Sequence, residues 1–154
     1  MRFNILFNFS DKNIVFSLLN GESMDYIGSS RLVYELKEGT FKSLGGNVLK
    51  LNQISAVVEL GQLGDEQIHL HTINAKDHPV VIELQKQLNA DLLENSVPPA
   101  SVQSFLKVNS SLPAIVIANH GKTFINKYYN SLFDDATALN FSRYFFFFLI
   151  KIDF

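Results

Sequence analysis

The stretch that decides the fold is Leu112-Pro113-Ala114-Ile115-Val116-Ile117-Ala118-Asn119. From Ala114 to Ala118 it is apolar at every position and β-branched at its centre. A strand buried on one face alternates; one buried on both faces does not, so this run predicts an interior, parallel strand of an α/β sheet. His120-Gly121-Lys122-Thr123 follows at the strand's C-terminal end, where α/β proteins usually place their sites.

Working outward, Val97-Pro98-Pro99 opens a predicted helix carrying Val102, Phe105 and Leu106. A second helix starts at Asp77, as cap, with Pro79 in its first turn; Val80, Val81, Leu84 and Leu88 recur at helical spacing. Ile54 to Leu60 reads as a strand ending at Gly61. Further back, Phe3 to Phe7, Ile14 to Leu19 and Tyr26 to Leu36 read as three strands of an antiparallel meander, with polar turns at residues 8–13 and 20–21. In the last of these, Leu32, Tyr34 and Leu36 alternate with Arg31, Val33 and Glu35. Phe124 to Phe133 reads as a final helix. The class is α/β, a mixed sheet with flanking helices. The end, Tyr144-Phe-Phe-Phe-Phe-Leu-Ile150, has no period and divides the chain into a domain at 1–143 and an apolar tail at 144–154. Four consecutive phenylalanines are also what a T-rich tract yields after a reading-frame slip.

The chain has 154 residues, enough for one domain, and 47% are apolar against 18% charged, as in a globular core. A net charge of −2 gives no electrostatic footprint for nucleic acid. The absence of cysteine excludes disulfides, thiolate metal sites and cysteine nucleophiles, and fits a reducing cytosol. No run of about 18 apolar residues appears, so no membrane span is expected.

His69 and His71 would point the same way on a strand, a spacing that metal sites use, with Asp65 and Glu66 preceding; the simpler reading is exposed loop histidines. His78 sits at a helix start, where a neutral ring is favoured over a charged one. Gly121-Lys122-Thr123 matches the end of the phosphate-loop pattern G-x-x-x-x-G-K-S/T, but its first glycine would fall at Val116, so no phosphate-cradling loop is expected.

Several segments together resemble the N-terminal domain of the acetate kinase (acetokinase) family. Asn8 with Phe16, Ser17 and Leu18 matches that family's opening strand-turn-strand, and Tyr26 to Tyr34 resembles its third strand. Ile54 to Gly64 is similar to I-D-A-V-G-H-R-V-V-H-G, and Pro99 to Phe105 to P-A-N-L-x-x-I. Leu112 to Asn119 looks like the strand ending V-F-D-T, and Ser142 to Phe145 like R-R-Y-G.

The resemblance implies an actin-like (ribonuclease-H-like) half-domain and transfer of a phosphoryl group from ATP, with magnesium, to acetate or a similar short-chain carboxylate. It implies a cytoplasmic enzyme, open to homodimer formation, and places Asn8 beside magnesium and phosphate. It also implies a truncated, inactive homologue. The family's substrate-binding arginine falls at Leu60, the preceding histidine at Glu59, the transition-state histidine near Val97 and the essential aspartate at Asn119. Leucine cannot make a two-pronged bond to a carboxylate, and asparagine cannot serve as a carboxylate base. The alternative reading is a small non-catalytic interaction module with an apolar docking tail.

Overall fold

The computed structural model describes residues 13–42, 46–63, 67–124, 126–129 and 131–135. Its element order is α1 (Ile27–Glu38), a short 3-10 helix (Leu51–Gln53), β1 (Val57–Leu60), β2 (His69–Thr72), α2 (Pro79–Leu88), β3 (Asp91–Glu94), α3 (Val102–Val108) and β4 (Ala114–Ala118). The four strands form one mixed sheet ordered β1-β4-β2-β3. β1 runs parallel to β4 and β2 parallel to β3, while β2 and β4 are antiparallel.

The deciding run is β4, buried at all five positions and interior to the sheet. Its two faces pack different layers. Ile115 and Ile117, with Leu70 of β2, meet Val80, Val81 and Leu84 of α2. Ala114 and Val116, on the other face, meet Ala100 and Val102 at the start of α3. Val33 and Leu36 then join α1 to Phe105 of α3. The outcome is helix, sheet and helix in layers, the mixed α/β architecture expected.

Several expectations need correction. Tyr26 to Leu36 is not a strand: residues 27–38 are helix α1. The alternation of Leu32, Tyr34 and Leu36 coincides with a period nearer four, in which Ser29, Val33 and Leu36 are the buried face. Arg31 bridges Glu35 one turn on at 2.7 Å, and Gly39 ends the helix at φ 66°, donating its N–H to the Glu35 carbonyl. Ile14 to Leu19 is not in a strand either, and Val15, Phe16 and Leu18 are exposed. Its expected partner, Phe3 to Phe7, lies outside the described residues. The actin-like reading rested on this meander, and its third strand is a helix.

The expected last helix is replaced by turns at 126–129 and 131–135. The 144–154 tail and the boundary at 143 lie outside the described residues. α2 is where periodicity put it, but its cap is His78, whose Nδ1 accepts the Val80 N–H at 3.3 Å, rather than Asp77. Only a neutral ring can accept there, in keeping with the neutral histidine expected at that position. Two short strands, β2 and β3, carry no apolar run of strand length and were not expected.

Candidate functional site

β1 and β4 are parallel neighbours, so their C-terminal ends lie side by side, and polar side chains gather there on the α1/α3 face. One row across the sheet reads Glu59, Val116, His71 and Leu93. Glu59 reaches the start of α3: its carboxylate accepts the N–H groups of Ser101 at 3.1 Å and Val102 at 2.8 Å. Those donors are left over at a helix start, and an acceptor carboxylate satisfies them. Burial pushes the Glu59 carboxyl above its usual range; the two N–H groups oppose this and the nearby Glu22 adds to it.

Glu22 makes a second clamp. It accepts the Ser29 N–H at 2.6 Å, the Ser29 hydroxyl at 2.9 Å and the Ser101 hydroxyl at 2.8 Å. Ser29 also shares a hydrogen bond with Ser104 of α3 at 2.9 Å. The two glutamates thus tie α1 and α3 to each other and to β1. Between Glu22 and α1 the chain makes a tight turn with Asp25 and Tyr26 both left-handed, at φ 57° and 58°. Neither is glycine, so the turn is strained, and the hydrogen bond from the Tyr26 N–H to the Glu22 carbonyl at 3.1 Å helps hold it. Burial raises the phenol pKa of Tyr26 and of Tyr129, and the Glu59 charge raises both further.

Beyond the clamps lie three imidazoles. His69 and His71 do share a face, as their spacing implied, but on strand β2 rather than in a loop, with ring centroids 6.5 Å apart. His71 is buried, and its Nε2 lies 2.9 Å from the His120 carbonyl. The His120 ring lies tilted to it, with centroids 5.2 Å apart, and tilted to Phe124 at 4.5 Å. Among the described residues no group of three or more His, Cys, Asp or Glu is arranged to hold a metal ion. Asp65 and Glu66 lie outside the described residues.

The residues singled out by the acetokinase resemblance are placed as follows. Leu60 ends β1 and is 55% exposed. Asn119 follows β4 at the same end of the sheet and is buried; its N–H donates to the Gln62 carbonyl at 2.8 Å, and its Oδ1 has no hydrogen-bond partner among the described residues. Val97 packs into the small apolar cluster beneath α3. Asn8 lies outside the described residues. Glu59, set aside as a replaced histidine, is the side chain that organises the site. Its role was hidden because its partners stand more than forty residues away in the chain. Glu22 was missed for the same reason.

Comparison with known proteins corrects the resemblance itself. Residues 6–145 match the family model described as the nicastrin large lobe. Nicastrin of Rattus norvegicus is 31% identical over 149 residues, covering 84% of this chain and 20% of that protein. Nicastrin of Homo sapiens is 31% identical over 153 residues, covering 85% and 20%. Nicastrin of Arabidopsis thaliana is 27% identical over 148 residues, covering 84% and 21%. The chain therefore spans about a fifth of the length of these curated relatives. A crystal structure of nicastrin, described as a gamma-secretase component, superposes with a TM-score of 0.63 at 22% identity, covering 80% of this chain and 27% of that one. That likeness shows the fold.

These matches overturn the acetokinase reading, and with it the kinase activity, the short-chain carboxylate, the homodimer and the cytoplasmic location. The interaction module with an apolar docking tail is not supported either, since its match is to a lobe and its tail lies outside the described residues. The motifs that suggested a kinase were short apolar strands and Pro-Ala turns, which recur in many α/β sheets. The magnesium and ATP of that reading rest on the same resemblance and are taken no further.

Proposed function

The chain belongs to the nicastrin family, and on that premise we propose that it is part of the large lobe of a gamma-secretase component, a non-catalytic scaffold that works through protein partners in a membrane complex. The observation that carries this is the family match across residues 6–145. The site's chemistry supports it. Glu59 and Glu22 would be the natural acid and base of a catalytic pair, yet both are committed to backbone N–H and serine hydroxyl donors. A carboxylate occupied in this way fixes α1 and α3 against the sheet instead of moving protons. The strained turn at Asp25 and Tyr26 is held by the backbone carbonyl of the same Glu22. No helix among the described residues is long and apolar enough to cross a membrane.

The test is a chimera. Human nicastrin whose matching segment is replaced by residues 6–145 of this chain is expressed in cells lacking nicastrin. Restored assembly and proteolytic activity of gamma-secretase is expected. A chimera that is made and folded, but does not enter the complex, would overturn the proposal.

A further inference from the structure

The clamp chemistry leaves the imidazoles of β2 and the loop after β4 unexplained, and their arrangement is specific. A carbonyl oxygen only accepts. The 2.9 Å approach of His71 Nε2 to the His120 carbonyl therefore puts the ring proton on Nε2. By the same rule, the 3.0 Å approach of His120 Nδ1 to the Gly121 carbonyl puts its proton on Nδ1. His69 Nδ1 likewise donates to the Gln67 carbonyl at 2.9 Å. Each of the three rings is thus anchored by an N–H to the main chain, and His71 and His120 are only 3% exposed.

We propose that His71, anchored on the His120 carbonyl, forms an acid-sensitive latch that holds residues 119–124 against the end of the sheet while its ring is neutral and releases them when that ring takes up a second proton. A second proton on His71 would sit in a buried site, with the His120 imidazole 5.2 Å away. Burial is the largest influence on His71 and lowers its pKa, and the neighbouring His120 and His69 lower it further. The hydrogen bond to the His120 carbonyl acts the other way, because Nε2–H still donates to it after protonation.

The groups facing the pair on every side are these. On β2 it is His69, 6.5 Å from His71 between ring centroids. On β3 it is Asp91, exposed and 3.8 Å from His69 Nε2. On β1 it is Glu59, in the row of His71 but two strands away and committed to α3. α3 offers that side Val102, Ser104 and Phe105, none of them charged. Lys122 is exposed in the loop itself. Beyond Phe124, whose ring lies tilted against His120 and stacks on Tyr129, is Asp134, which interacts with Tyr129.

The sign follows from the lowered pKa. The folded state binds its proton on His71 less readily than the unfolded chain, so the latch's contribution is fully present above about pH 6.5 and is lost as pH falls through the folded pKa. The segment released carries Phe124, so acidity would change what this end of the lobe presents to a partner. The inference rests on the geometry of this chain and holds whether or not the assembly proposed above is correct.

The test is hydrogen exchange on the full chain at pH 7.5 and pH 5.5, corrected for the intrinsic pH dependence of exchange. Amides in 119–124 should lose protection at pH 5.5 relative to pH 7.5, while β4 stays protected. His71→Gln keeps a side-chain N–H for the His120 carbonyl but cannot take up a proton, and it should hold the loop equally at both pH values. Protection that does not change with pH in the wild type, or that changes as much in His71→Gln, would overturn the latch. Should that variant fail to fold, an NMR titration of the His71 ring in the wild type decides: a pKa below the ordinary 6.5 is expected, and one at or above it refutes the proposal.

Discussion

Removing the Glu59 carboxylate should damage the fold in a way that removing only its charge does not. Glu59→Ala leaves the N–H groups of Ser101 and Val102 without their acceptor. An orphaned buried donor costs about 1–3 kcal/mol. Glu59 is half-buried, so water replaces part of what is lost, and we expect a total of about 2 kcal/mol. For a chain of this length that lowers Tm by roughly 4–8 °C. Glu59→Gln retains one carbonyl acceptor and discards a charge whose burial already raises its pKa. The lost hydrogen bond and the relieved charge nearly offset, and the change should stay within about 1 kcal/mol. The pH dependence has a definite sign. With a folded pKa above the unfolded one, Glu59 favours the fold most below its unfolded pKa, and this contribution is lost as pH rises through the folded pKa. The glutamine variant should therefore compare better with wild type at pH 7 than at pH 5. Thermal unfolding by circular dichroism at the two pH values measures this. A glutamine variant as unstable as the alanine variant at both pH values would refute the clamp argument, and so would an alanine variant of unchanged Tm.

Gly28→Ala should destabilise by about 1–3 kcal/mol, because its Cβ would press on the Asn20 carbonyl and lie 2.5 Å from Glu22 Oε1; chemical denaturation gives the value. Ile115→Ala, at a fully buried position between β4 and α2, should cost about 2–5 kcal/mol, read from the urea midpoint. In an alkaline titration followed by ultraviolet absorbance, Tyr26 and Tyr129 should ionise above the ordinary phenol value of about 10, since burial raises both. Their contribution to stability is intact below pH 10 and lost as pH rises through their folded pKa values.

What the sequence revealed and what it hid have physical causes. β4 was legible because a fully apolar five-residue run has few alternatives to a buried strand. α2 was legible because Pro79 marks its start, and α3 because its apolar positions keep a helical period, although it begins at Val102, beyond the Pro98-Pro99 pair that was read as its opening. α1 was misread because Leu32, Tyr34 and Leu36 satisfy period two as well as the helix's own face does; Gly39 and the Arg31–Glu35 pair were the signals that could have decided it. β2 and β3 are only four residues each, with polar residues among them, and owe their existence to pairing with distant strands. The site followed the same division. The C-terminal ends of β1 and β4 were the right place to look, and Leu60 and Asn119 both lie there. The residues that build the site, Glu59 and Glu22, act on Ser101 and Val102 across long stretches of chain, which no local pattern reports. The family was misread because apolar strand motifs carry fold information and little about identity.

The central claim is that this chain serves as a lobe of a gamma-secretase component. Its most direct test is to isolate the protein from membranes of its own cells in mild detergent and to assay the isolate for gamma-secretase proteolysis. The account predicts that proteolytic activity co-isolates with the wild-type protein and is lost from the isolate when Ile115→Asp disrupts the sheet of this lobe. A well-folded wild-type protein that isolates without the activity, leaving gamma-secretase intact in the remaining membranes, would contradict it.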